Sequence, residues 1–321
     1  MQITTKPYNA LSDYMKARFG CKVFKVSLDA GLTCPNRDGS KGNGGCIYCS
    51  NASLKPKGAA LKGIADQLAA GIDYIRIRHK AVKFIAYFQM NTGTYAPTEY
   101  LRGIFNEALI SKDVAGISIS TRPDCLSDAT LDMLASLKGA GPLWLELGLQ
   151  SANDRVLEAL NRRHTVKEFE DAVHRARIRG IDVCAHVIIG LPGEDATDWL
   201  NTAQFLGGVK VWGVKFHQLQ VLKGTALNEM YERGEVRLLE LDEYASAIVD
   251  CIEALPPATV VHRLCGDAPL EHLVAPRWGV NKFIVMDRIR RFFVERGAYQ
   301  GRTSPTFLER PVTRRLAPQA R

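Results

Sequence analysis

The chain has 321 residues, 46% hydrophobic, 24% charged and 8% aromatic, and its 42 Lys and Arg against 34 Asp and Glu give a formal charge of +8. That length is ample for a buried core and fits one (β/α)-type domain with an appendage, and the composition excludes a disordered or collagen-like chain. The longest apolar runs, such as 183–191, are broken by His186 and Gly190, and the first stretch MQITTKPYNALSDYMKARFG lacks a signal-peptide core, so a cytoplasmic protein with no membrane partner is expected.

Strand and helix patterns alternate along the chain. Nearly continuous apolar runs, the signature of strands covered on both faces, fall at 23–28, 82–88, 114–120, 143–149, 183–190 and 211–217. Helical periodicity follows them, at 63–80, 99–110, 131–137, 166–180, 198–208 and 226–234. Six β-then-α units predict an α/β fold with a parallel sheet and right-handed crossovers, either open and doubly wound or curled into a partial barrel. Past residue 235 the pattern changes to a helix at about 240–254, a strand and turn in PPATVVHRLCGD, and a basic amphipathic helix, KFIVMDRIRRFFVERG. This divides the chain into a core (1–235), a small C-terminal α/β extension (236–302) and a flexible basic tail (303–321).

Polar residues recur where the strands end, the place where parallel α/β folds build sites. The loop after the first strand holds Cys34, Cys46 and Cys49 in CPNRDGSKGNGGCIYC, and the next five ends carry QMNTGT, TRPDC, GLQS, GLPGED and FHQ. Two residues between Cys46 and Cys49 let both thiolates reach one metal centre, and the Gly-rich insert can bring Cys34 back to them. Three thiolates leave one position of a tetrahedral zinc or of a four-iron, four-sulfur (4Fe-4S) cluster open. A structural zinc site with a distant His, and a chance grouping of reduced thiols, remain alternatives. Cys125, Cys184, Cys251 and Cys265 show no ligand spacing and read as small core or surface residues. His186 and His217 read equally as packed side chains or as substrate contacts.

Taken together and in this order, SLDAGLTCPNRDGSKGNGGCIYCS, FQMNTGTYAP, STRPDCL, WLELGLQSANDRVLEALNRRHT, HVIIGLPGED and HQLQVLKGTALNEMYERGE resemble the radical S-adenosylmethionine (radical SAM) enzymes. More narrowly, the chain is similar to the bacterial YhcC-like branch, related to the radical core of the Elongator catalytic subunit. The resemblance covers about Phe19 to Arg302. It implies a partial (β/α)6 TIM-like barrel with Cys34, Cys46 and Cys49 on a 4Fe-4S cluster whose fourth iron takes S-adenosylmethionine (SAM). It also implies an electron donor such as flavodoxin or ferredoxin. Mapped residue by residue, Tyr48 would lie beside the adenine, Gln89, Asn91 and Thr92 would stand where the family often has Gly-Gly-Glu, and Ser118, Ser120, Glu146, Gln150 and Ser151 would offer polar contacts. Gly190, Gly193 and Glu194 match the segment that lies along the adenine. The sequence departs from the family in two places: eleven residues, rather than three, separate the first two cysteines, and QMNT replaces Gly-Gly-Glu.

From Arg288 to Arg321 nine Arg stand against Glu295 and Glu309, so +7 of the charge lies in the last 34 residues. Clustered Arg interleaved with aromatics suits a phosphate-bearing partner. The first functional expectation is therefore a radical SAM enzyme modifying a tRNA nucleoside, with Arg162, Arg163, Arg288, Arg290 and Arg291 as RNA contacts. A second is a radical SAM enzyme for a small metabolite or protein side chain, and a third is a non-catalytic, zinc-stabilised RNA-binding protein. No role is assigned to Trp278, Asn281 or Lys282.

Overall fold

The computed structural model describes residues 6–50, 53 and 63–304. All six expected strands form within a residue or two of their sequence limits: β1 (Val23–Leu28), β2 (Lys83–Phe88), β3 (Val114–Thr121), β4 (Leu143–Gln150), β5 (Asp182–Ile189) and β6 (Gly213–Gln218). They stand side by side in chain order, each parallel to the next. Two short strands follow, β7 (Val221–Leu222) and β8 (Val260–Arg263); β8 lies parallel to β6 and extends the sheet to seven strands. The C-terminal extension therefore contributes a strand to the core sheet. β9 (Leu273–Ala275) pairs antiparallel with β7 at the rim.

The sheet is curled, as the partial barrel requires. Lys25 on β1 and Lys215 on β6 both reach the carboxylate of Glu146 on β4, which a flat sheet of these strands would forbid. The described helices are α1 (Leu11–Phe19), α2 (Ile64–His79), α3 (Thr98–Leu109), α4 (Asp128–Ser136), α5 (Asp154–Ala159), α6 (Val166–Ile178), α7 (Ala196–Gly208), α8 (Ala226–Glu232), α9 (Leu241–Ala254) and α10 (Lys282–Glu295), of which α2, α3, α4, α6, α7, α9 and α10 cover the outer face. Their apolar stripes meet the outward side chains of the strands in one continuous core, including a T-shaped contact between Phe88 and Phe105 with centroids 4.9 Å apart. Reciprocal capping boxes start α6 (Thr165 with Glu168) and α7 (Asp195 with Asp198), satisfying backbone donors that a first turn leaves open.

α1 does a separate job. It packs across the amino ends of the strands, where Met15 and Tyr14 join Ile85, Trp144, Cys184 and Trp212 in a small apolar cluster. The rings of Trp212 lie 5.5 Å from Tyr14, 5.4 Å from Trp144 and 4.9 Å from His262, closing that end of the barrel. Among the described residues no helix is long and apolar enough to cross a membrane. The expected tail lies, from residue 305 on, outside the described residues.

Candidate active site

The loop after β1 folds back over the carboxyl ends of the strands, fastened on several sides. Asn36 donates to the carbonyl of Asn161 at 2.6 Å, and Asn161 donates back to Gly45 at 2.8 Å. The backbone N–H of Ile47 bonds to Leu160, and that of Leu227 in α8 bonds to Ile47. Lys41 pairs with Asp124 after β3 at 2.6 Å, and Asn91 after β2 donates to Leu32 at 2.8 Å. Under this loop lies a cavity of about 280 Å³.

Cys34, Cys46 and Cys49 all line that cavity and all are free thiols. Asn36 Nδ2 and Arg162 Nη1 each point a donor at Cys46 Sγ from 3.6 Å. Burial resists ionisation of Cys46, but the Arg162 guanidinium outweighs it and holds the thiol below its ordinary range. Burial pushes the Cys49 thiol up, although Arg37 opposes this through a side-chain hydrogen bond.

Arg162, expected at an RNA surface, is instead 7% exposed, with Nη2 donating to Gly148 O at 2.8 Å. The backbone explains the correction. Asn161 and Arg163 both adopt left-handed φ (54° and 58°), and this double reversal turns Arg162 inward and leaves Arg163 outside, bonded to Asn161. Gly148 leaves the room, since a Cβ there would stand 2.4 Å from Arg162 Nη2. Asn91 and Gln150, on the cavity wall, also have positive φ (52° and 76°). Each such residue is costly outside glycine, and such strain gathers where a site needs it.

The cavity continues into the barrel as a polar layer around Glu146. This carboxylate is fully buried and accepts from Lys25, from Tyr87 and His186 at 2.7 Å, from Lys215 at 2.9 Å and from Ser118 at 3.0 Å. Despite burial, Lys215 and Lys25 hold its carboxyl well below the usual range. Burial draws His186 down to about 4, helped by Lys215, and brings Lys215 to about 8.

Of the residues proposed for cofactor contact, Tyr48, Gln89, Asn91, Thr92, Ser120, Glu146 and Gln150 line the cysteine cavity. Ser118 sits beside it through its bond to Glu146. Gly190, Gly193 and Glu194 line a different cavity, between the β5 end and α9, and Ser151 reaches Glu194 by a side-chain hydrogen bond. Arg288, Arg290 and Arg291 lie on α10, paired with Asp242, Asp287 and Asp287. The sequence reading missed Lys25, Tyr87, Lys215 and Arg263. A usable signal existed for the lysines: VFKVSL and VWGVKFH each place one charge inside an otherwise buried strand.

Profiles of two families match the chain: the Radical SAM superfamily over residues 39–206, and the Radical_SAM C-terminal domain over residues 211–294. The chain belongs to the radical SAM superfamily. Its relatives include YtqA of Bacillus subtilis (42% identical, 93% of each chain) and YhcC of Escherichia coli K12 (36% identical, 91% of this chain and 94% of the relative). Elongator complex protein 3 of Homo sapiens is 30% identical over 174 residues, which span 52% of this chain and 30% of that protein. Among solved structures the archaeal Methanocaldococcus infernus Elp3 superposes with a TM-score of 0.67 at 20% identity, covering 87% of this chain and 64% of that one, a likeness of fold.

The residues present fit the cluster that the radical SAM superfamily implies. A single ion needs its sulfurs about 2.3 Å away on all sides, and no three His, Cys, Asp or Glu side chains among the described residues are grouped to hold one. A cluster gives each thiolate its own iron, so the thiols need only border one space, as these do. Arg162 Nε and the Thr92 hydroxyl are buried beside that space without partners. Such orphaned polar atoms point to a group that completes them.

Proposed function

We propose that Cys34, Cys46 and Cys49 hold a 4Fe-4S cluster and that the chain cleaves SAM reductively, its electrons coming from a flavodoxin or ferredoxin. When bound, the cluster supplies the electron that splits SAM into methionine and a 5′-deoxyadenosyl radical able to take hydrogen from a substrate. The chain's own residues prepare the place. Asn36 and Arg162 direct N–H groups at Cys46, the amide and hydroxyl groups of Gln89, Asn91 and Thr92 offer contacts to SAM, and the cysteine loop shields the lumen from water. The observation that carries this reading is the meeting of three free thiols at the mouth of a polar barrel lumen. Anaerobic reconstitution tests it: about four irons per chain and 5′-deoxyadenosine on reduction with SAM are expected, and both should vanish in Cys46→Ala. Colourless protein with no iron, or zinc in its place, would overturn it.

For the substrate, the first reading is a tRNA nucleoside, supported by the similarity to Elongator complex protein 3 and by the Arg-rich end of the chain. A specific observation favours the second, a small metabolite or protein side chain. Every Arg from Arg288 to Arg302 is paired with an acid: Asp242 and Glu295, Asp287, Asp250, or Glu253. Paired Arg offers less to phosphates than its count suggests. Comparing modified nucleosides in RNA from cells with and without the gene separates the two readings, and steep salt dependence of RNA affinity would support the first.

A further inference from the structure

The carboxylates of the cysteine cavity and its inner layer are already taken. Glu146 is shared by Lys25, Lys215 and His186, and Asp267 at the rim pairs with Lys282 at 3.4 Å. Arg263, the last residue of β8, lines the same cavity, and its side chain makes no hydrogen bond or ion pair among the described residues. Its register partner on β6 is Lys215, whose own partner on β5 is His186, so the three form one row across adjacent strands. Next to this row His217 Nε2 and the Gln220 amide nitrogen are buried without partners. The inner layer thus has more cations than carboxylates, and it adds a guanidinium and an amide whose donors are unused. The excess is felt locally: burial first, then His186 and Arg263, drive His217 well below its ordinary range.

We propose that this side of the lumen is a receptor for an anionic group of the substrate, a carboxylate or a phosphate, with the Arg263 fork as its main contact and Gln220 as a second donor. A planar guanidinium matches either group through two parallel N–H bonds, and in a water-poor lumen such charge-assisted bonds are strong. The proposal rests on the radical SAM reading for calling the anion a substrate's. It separates this anion from the SAM carboxylate, because the cysteine end of the cavity has its own cations in Arg37 and Arg162.

The test is calorimetric titration of the anaerobically reconstituted holoenzyme, with SAM present, by inorganic phosphate and in a second arm by acetate. Wild type should bind at least one anion, Arg263→Gln should weaken that binding about tenfold or more, and Arg263→Lys should recover most of it. Arg290→Gln on α10 should bind as wild type does, and Arg263→Gln should keep wild-type affinity for SAM. Preference for phosphate would indicate a nucleotide-like or phosphorylated substrate, and preference for acetate an organic acid. Binding of neither anion, equal binding by wild type and Arg263→Gln, or loss of SAM together with the anion would each overturn the proposal. Repeating the titration on apo-protein keeps the two readings apart, because failure to load the cluster would refute the radical chemistry while the anion result still stands or falls alone.

Discussion

Glu146 occupies a place where a packed (β/α) barrel normally sets a branched aliphatic side chain. Its polar partners, Lys25, Lys215, His186, Tyr87, Ser118 and the indole N–H of Trp144, make it stable as a charge, and removing that charge leaves Lys25 and Lys215 facing each other without a counter-ion. Glu146→Gln should therefore cost about 3 kcal/mol or more of unfolding free energy, read from the urea midpoint, since breaking a buried pair on one side strands the other. Arg162→Ala should cost about 1–3 kcal/mol in the apo-protein by deleting its buried hydrogen bond to Gly148 O and its donor to Cys46, and should also reduce iron retained on reconstitution. A variant as stable as wild type would refute the structural part. These two residues mark what sequence could and could not say. Glu146 was named from the resemblance, as a polar contact in the strand LWLELGL. By contrast NRRH reads as a basic surface until the two left-handed residues around Arg162 are known, and those depend on tertiary contacts such as Asn36 to Asn161.

At the level of elements, alternating periodicity located every strand of the core and every major helix, because each must cover one face of the sheet. Thr165 opens α6 in a reciprocal capping box with Glu168. Thr165→Ala should destabilise the protein by about 1 kcal/mol in chemical denaturation, with no change in the slope of the transition. Phe105→Ala, which empties a fully buried place between α3 and β2, should cost about 3–5 kcal/mol. α1 was not read, since its sequence alternates weakly and its partners, Trp144 and Trp212, lie over a hundred residues away. β8 was expected as a strand within PPATVVHRLCGD, but four residues after a Pro-Pro pair carry no pattern that assigns them to a sheet, and only pairing with β6 makes them part of the barrel.

For the whole molecule, buried titratable groups set opposing slopes of stability with pH. His186 at about 4 and His164 at about 3, both lowered chiefly by burial, favour the fold fully above 6.5, and that contribution is lost as pH falls through those values. Glu194, raised to about 7 by burial, acts the other way: its contribution is complete below about 4.5 and is lost as pH rises to 7. Thermal midpoints should thus fall on acidification below 6.5. Glu194→Gln should remove this opposing contribution and so steepen the fall on acidification between 6.5 and 4.5, leaving the limb below 4.5 in place; an unchanged profile would show that Glu194 is solvated in solution.

The stopper that α1, Trp144 and Trp212 make among the described residues shuts one end of the shaft, and the cysteine loop stands over the other. An occupant of the Glu146 layer that enters past the cysteine loop goes in before whatever lodges beneath the cysteines, and waits for it to depart. Turnover should consequently follow a queue, compulsory in order, and initial-rate patterns with two varied reactants should show one arriving ahead of the other.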